Sequence, residues 1–418
     1  MDLRLKSCSS TTATLQNDLN CGDDLLLDRF TNLPDELLIR ILSLLPTKDA
    51  AVTSILSKRM SSIFPFITSL DFDDSPISHC LNRPFAIQRF PTFVALVNSA
   101  LSAYKSQYLT RFKLGVGVDF KGICCLDCES NLPGEKDCCP DLKASQINAW
   151  ISFPLTHCGL RELDLRIQVK KPGDCLIPLE IFTFQTLEVL KLDVNLSLDQ
   201  TSTMSSFHLP NLKRLQLRVP VISEVGFVTR LVSSCPILED LMVDVVWSQA
   251  YFINISSPSL RKLCLFVNRY DYNDVDNKFV TINTPNLEYL SYTDYLTLQY
   301  SVPNMNSLVK ADVDLRIFPV GPSEVCLVQV LNFISVLSNV QHLTLGGNCV
   351  KVLSRVDLKD RLPVFHNMKC LELLYDYICW DKLLPAFLNE NCPHLKKKMK
   401  TLGLKGEIKD MVNPKRKC

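Results

Sequence analysis

Glycine is scarce in this chain, at 13 of 418 residues. Phosphate-cradling loops need closely spaced glycines, and neither Gly-x-Gly-x-x-Gly nor a P-loop occurs. Gly-x-Ser-x-Gly is absent too, which removes the usual nucleophile elbow. The histidines, His79, His157, His208, His342, His366 and His394, form no His-Glu-x-x-His pair. No catalytic residue and no cofactor is therefore expected. An excess of one charge is lacking as well: 45 basic residues face 44 acidic ones. No broad field draws the chain to nucleic acid or to a membrane surface. No apolar run reaches the roughly 18 residues of a membrane span. Met1–Ser10 lacks the apolar core of an export signal, so the expected location is cytoplasm or nucleus.

Cysteine is plentiful, at 18 residues. In a chain read as intracellular, these are expected as free thiols packed like small apolar groups, as at Cys264 and Cys370. One cluster stands apart. Cys125 and Cys128, with Cys138 and Cys139, could supply four ligands to zinc. The adjacent second pair is poor geometry for that metal, and Pro133-Gly134 reads as loop. A thiol-rich insertion at about 121–141 is the preferred reading, with an oxidised pair as the third.

The first 27 residues are polar and are expected to form a disordered tail. A helix should then start at Pro34, which tolerates a first turn, with Asp35 and Glu36 on the positive end of its dipole. Leu37, Ile41, Leu44 and Leu45 define one apolar face. Leu33, Pro34, Leu38 and Leu42 are expected to face outward. Pro46 should stop the helix. Thr47 and Ser57 are expected to cap two further short helices. Three such helices make a small core that leaves apolar surface for a partner. They could equally be a helical cap on whatever follows.

Asn32-Leu-Pro-Asp-Glu-Leu-Leu38, Ile41-Leu-Ser-Leu-Leu-Pro46 and Ser54-Ile-Leu-Ser-Lys-Arg59 closely resemble the plant-type F-box. The resemblance implies docking onto the Skp adaptor, and through it to cullin and RING subunits. By position it implies docking or supporting roles for Leu33, Pro34, Leu37, Ile41, Leu45, Pro46 and Leu56. The family usually carries Trp where this chain has Met60 and Phe64.

A hexad, apolar-x-x-apolar-x-apolar, recurs beyond residue 100. It starts at Leu109, Leu160, Leu187, Leu212, Leu238, Leu260, Leu287, Leu308, Val340 and Met368. After a first step of 51 the copies are 21–32 residues apart, close to a leucine-rich-repeat period. The long step means one degenerate unit or an insertion. Asn195, Asn268 and Asn348 stand three positions past the last apolar residue of their copies, where an amide can satisfy the turning backbone. Each hexad predicts a short parallel strand, and Val225–Ser234 reads as a returning helix. The fold expected is α/β: a three-helix F-box, then a solenoid with a curved parallel sheet inside and helices and irregular segments outside.

The outward positions of the strands mix both charges with a few aromatics, which suits a protein target. Arg166, Lys191, Arg214, Arg218, Phe266 and Tyr289 are the candidates to touch it. Leu209-Pro-Asn-Leu-Lys-Arg-Leu215 and Ser257-Pro-Ser-Leu-Arg-Lys-Leu263 resemble plant F-box/leucine-rich-repeat proteins. Residues 363–405, with Phe365, Trp380 and Cys392-Pro393, are similar to the first half of an FBD region. The expected division is 1–27 tail, 28–75 F-box, 76–362 repeats, 363–405 terminal repeats and 406–418 basic tail. The whole resembles a target receptor of a ubiquitin ligase. The rivals are a scaffold without ligase partners, an exported ectodomain with glycans at Asn195 and Asn254, and an enzyme with an unfamiliar site, for which no residue group argues.

Overall fold

A computed structural model describes residues 33–74, 83–117, 142–169, 175–198, 207–222, 226–247, 252–269, 279–295, 299–301, 305–316, 324–346, 349, 362–374 and 390–394. Both expected tails, the cysteine-rich segment with Cys125, Cys128, Cys138 and Cys139, and Asn348 lie outside them.

Helices α1 (Asp35–Leu42), α2 (Thr47–Thr53) and α3 (Lys58–Ile63) open the described chain. Leu38 and Leu42, one helical turn apart, enter the core cluster that also holds Met60 and Ile63. Leu37, Ile41 and Leu44 face solvent instead. This corrects the expectation that Leu38 and Leu42 point outward. The apolar stripe of α1 is too wide for one face, and the core takes the Leu38 side. Ser57 caps α3 as expected, its hydroxyl accepting from the Met60 N–H at 3.1 Å. Thr47 does not cap α2. It sits inside the first turn, and its hydroxyl accepts from the Asp71 N–H at 2.7 Å.

Among the described residues, eleven parallel strands form one sheet in chain order. They are β1 (Ser69–Asp73), β2 (Arg111–Val116), β3 (Glu162–Ile167), β5 (Val189–Val194), β7 (Arg214–Ile222) and β8 (Asp240–Trp247), followed by β10 (Lys262–Arg269), β12 (Tyr289–Tyr295), β14 (Lys310–Arg316), β15 (His342–Gly346) and β16 (Cys370–Leu374). The first residue of every expected hexad is buried. Alternate strand residues then point inward, as at Leu163, Leu165 and Ile167. The backbone repeats its linkage from copy to copy. Glu188 N–H bonds to Arg161 O at 2.8 Å, Lys213 N–H to Glu188 O at 2.9 Å, and Glu239 N–H to Lys213 O at 2.9 Å.

β2 and β3 pair directly, Arg111 against Glu162, so the long step is an insertion and not a degenerate strand. It carries helix Ala144–Ser152, whose Trp150 donates from Nε1 to Asn98 Oδ1 at 2.8 Å on helix Arg83–Ala103. The expected returning helix spans Phe227–Ser233. The outer side also carries β4 (Leu176–Ile177) paired with β6 (Ser197–Leu198), and a small sheet of β9 (Phe252–Ser256), β11 (Phe279–Asn283) and β13 (Gln299–Ser301). These short outer strands were not expected, and neither was one strand of the main sheet. β1 falls within the F-box interval, although Ile67-x-x-Leu70-x-Phe72 is the same hexad.

Candidate functional site

Two surfaces carry the expected site residues. The first lies on the helical unit. Pro34, Leu37, Ile41, Pro46 and Leu56 are exposed, while Leu33 and Leu45 are half-buried against the core. The structure adds Leu44, Val52 and Ile55, all exposed, with Ile55 at 82%. The sequence did carry a signal for them. Three helices in under forty residues cannot enclose that many large apolar side chains. A concentration of exposed apolar residues on one small unit is the mark of a docking surface. Met60 is buried and Phe64 packs against the core, so both departures from the usual Trp lie inside the unit. Arg59 steadies it, reaching Asp35 and the Leu33 carbonyl at 2.5 Å each.

The helical unit is tied to the sheet by side chains. Ser43 Oγ, at the end of α1, accepts from the Thr68 N–H at 2.8 Å. Thr47 on α2 holds the Asp71 N–H of β1, as described above.

The second surface is the sheet face whose side chains point away from the core. Register aligns its residues in rows across the strands. One row reads Arg214, Asp240, Lys262, Tyr289 and Lys310. The first strands carry a chain of ion pairs. Lys113 lies 3.3 Å from Asp71, Arg166 3.3 Å from Asp73 and 3.5 Å from Asp164, and Lys191 3.7 Å from Asp164. Gly115 stands between Asp73 and Arg166 in its row; a side chain there would meet Asp73 Oδ1 at 3.1 Å. Burial pushes the Asp164 carboxyl above its ordinary range, against the opposing pull of Arg166, Lys191 and Lys113. Arg218 spans two strands, 3.1 Å from Asp193 and 2.9 Å from Asp244.

Farther along, Met242, Cys264 and Ser291 form an uncharged row, beside Phe266 and Thr293. Tyr289 donates from its hydroxyl to Asp312 Oδ2 at 2.6 Å. Burial, then this bond, raises the phenol above its ordinary value. Lys262 and Lys310 hold their ammoniums 5.9 and 5.4 Å from the Tyr289 ring centre. Arg166, Lys191, Arg214, Arg218, Phe266 and Tyr289 thus share one face but not one cluster.

The expectation of buried thiols is corrected at Cys264 and Cys370. Both stand half-exposed in outward strand positions, because strand alternation overrides the apolar run around them. Cys175, Cys235, Cys349 and Cys392 are buried. Burial lifts the Cys264 thiol to about 11, so it stays protonated at neutral pH. Among the described residues no group of three or more metal-ligating side chains occurs. The Asn195 amide is engaged through both its nitrogen and its oxygen. Its Nδ2 donates to Val169 O at 2.6 Å, and its Oδ1 accepts from Val169 N–H at 2.9 Å. A glycan on that nitrogen would disturb both bonds.

Comparison with known proteins agrees with this geometry. An F-box domain model matches residues 30–65. A second family model, described as FBD-associated F-box protein At5g56370, LRR repeats, matches residues 147–397. F-box/LRR-repeat protein At4g14103 of Arabidopsis thaliana is 31% identical, over 88% of this chain and 90% of its own length. F-box/LRR-repeat protein At3g59200 of the same plant is 32% identical, over 88% of this chain and 68% of its own. F-box/LRR-repeat protein At4g14096 is also 32% identical, over 88% and 72%. With its exposed helical unit leading directly into a stack of parallel-strand repeats, the chain belongs to the F-box/LRR-repeat family.

Proposed function

We propose that this chain is the target receptor of a Skp–cullin–F-box ubiquitin ligase. The helical unit docks the Skp adaptor through Leu37, Ile41, Leu56 and their exposed neighbours, and the adaptor brings cullin and RING subunits. The outward face of the sheet holds a target protein. The chain itself is a non-catalytic adaptor that works in the cytoplasm or nucleus. It holds the target near the ubiquitin-loading enzyme, and the raised local concentration of target lysines drives transfer. The observation that carries this reading is the set of large apolar side chains left in solvent on α1 and the α2–α3 turn. Docking takes them out of water, at roughly 25 cal/mol per Å² of apolar surface covered.

Co-purification with the Skp adaptor tests the first half. Leu37→Asp puts a charge on the docking face without entering the core, and should abolish recovery while leaving the melting temperature unchanged. Full recovery of the variant would leave only a protein-binding scaffold.

A further inference from the structure

We propose that the sheet face between β7 and β14 receives an extended acidic polypeptide segment, which crosses the strands over Tyr289 and meets Arg214, Lys262 and Lys310 in turn. The inference rests on the reading that this face holds the target, and it names the chemistry of what is held.

Those three cations and Tyr289 share one register row. Arg214 lies 3.6 Å from Asp240, Lys262 3.5 Å from the same carboxylate, and Lys310 3.6 Å from Asp312. Counted as charges, the stripe is close to neutral. Its depth profile is not. The side chains of Arg214, Lys262 and Lys310 are 54%, 49% and 48% exposed, whereas Asp240 and Asp312 are 26% and 25% exposed. The long cationic side chains project and the short carboxylates lie beneath them. Each pair is therefore a dipole standing off the sheet with its positive end outward. A partner arriving from solvent meets ammonium and guanidinium first. Tyr289 supplies a fixed aromatic surface between the two lysines, its hydroxyl held by Asp312.

Spacing selects the partner. Arg214 and Lys262 are separated by one strand, as are Lys262 and Lys310. Alternate strands lie roughly 10 Å apart, and an extended chain advances about 3.3 Å per residue. An acid at every third residue of the segment reaches successive cations. The residues between can be neutral and lie over Asp240 and Tyr289. A nucleic acid cannot do this, because its unbroken phosphates would face the carboxylates as well. Aspartate, glutamate and phosphoserine all supply the required anion.

The test uses the full chain purified with the Skp adaptor and a fluorescein-labelled decapeptide with glutamate at every third position. Parallel probes carry phosphoserine or glutamine at those positions, and a single-stranded oligonucleotide serves as the other anion. The acidic peptides should bind, more weakly as salt rises, and the glutamine peptide should not. The ratio of the glutamate and phosphoserine affinities assigns the anion to carboxylate or phosphate. Lys262→Gln with Lys310→Gln should weaken binding by about tenfold or more. Asp240→Asn should tighten it, a gain that misfolding cannot imitate. Equal binding of the glutamine peptide, an unchanged double variant, or oligonucleotide binding as tight as the peptide's overturns the proposal. Adaptor recovery is read separately in the same preparations, so failure here leaves the ligase reading standing, and failure there is not mistaken for this one.

Discussion

Asn195→Ala removes one side-chain amide that serves both polar groups of a single peptide position. Val169 donates its N–H to Asn195 Oδ1 at 2.9 Å and accepts from Asn195 Nδ2 at 2.6 Å. Val169 is buried, so water replaces those bonds poorly. Two hydrogen bonds at about 0.5–1.5 kcal/mol each, plus part of the penalty for stranding a buried donor and acceptor, give a loss of about 2–4 kcal/mol. Urea unfolding followed by circular dichroism measures it. Hydrogen exchange read by mass spectrometry should show the loss of protection centred on peptides covering 162–169 and 189–195. Asn195→Asp separates geometry from side-chain volume. A carboxylate can still accept from the Val169 N–H but cannot donate to the Val169 carbonyl, so it should recover at most part of the loss. A loss below about 0.5 kcal/mol for alanine, or full stability for aspartate, would refute the assignment of this residue.

Gly117 has φ near +69°, and a Cβ there would stand 2.0 Å from the Gln168 carbonyl oxygen. Gly117→Ala should therefore cost about 2 kcal/mol or more in thermal unfolding; a change within error would mean the backbone shifts freely. Thr47→Val keeps the shape but leaves the Asp71 N–H without its acceptor. It should cost about 1–2 kcal/mol, with faster exchange at 69–73, and unchanged exchange there would show that the bond holds nothing. For Asp164, the raised folded value means that its neutral form is favoured on folding. Its contribution to stability is full below the ordinary carboxylate range and is lost as pH rises through the folded value. Asp164→Asn should flatten that part of the pH–stability curve and cost less than about 1 kcal/mol at pH 7. A steep loss at pH 7 would show that the ion pairs with Arg166 and Lys191 outweigh desolvation.

Most of the fold could be read from the hexads, because one residue pattern maps onto one strand and its spacing onto one repeat. Leu160, Leu187 and Leu212 needed nothing more than counting. β1 escaped because Ile67-x-x-Leu70-x-Phe72 follows so closely on helical sequence that it reads as the end of the F-box. Which side of α1 enters the core was not legible. Leu37, Leu38, Ile41 and Leu42 are all large and apolar, and only packing against Met60 and Ile63 decides between them. Cys264 was misplaced for a different reason. The apolar run around it suggested burial, yet it holds the fifth place in its hexad, where the side chain turns outward. The charged residues of the sheet face were legible as a set. Their ordering by depth was not, since it arises from side-chain length measured against a surface the sequence does not show.

The absence of a linker between α3 and the first strand has a mechanical consequence. The short helical turn Phe64–Phe66 passes almost at once into β1, and hydroxyls from the end of α1 and the start of α2 hold the backbone at Thr68 and Asp71. Grafting this helical unit onto another repeat stack would have to carry Thr68 and β1 with it, or leave the Ser43 and Thr47 hydroxyls without the backbone N–H groups they accept from. A hinge at this join would have to break both bonds before the helices could tilt against the sheet.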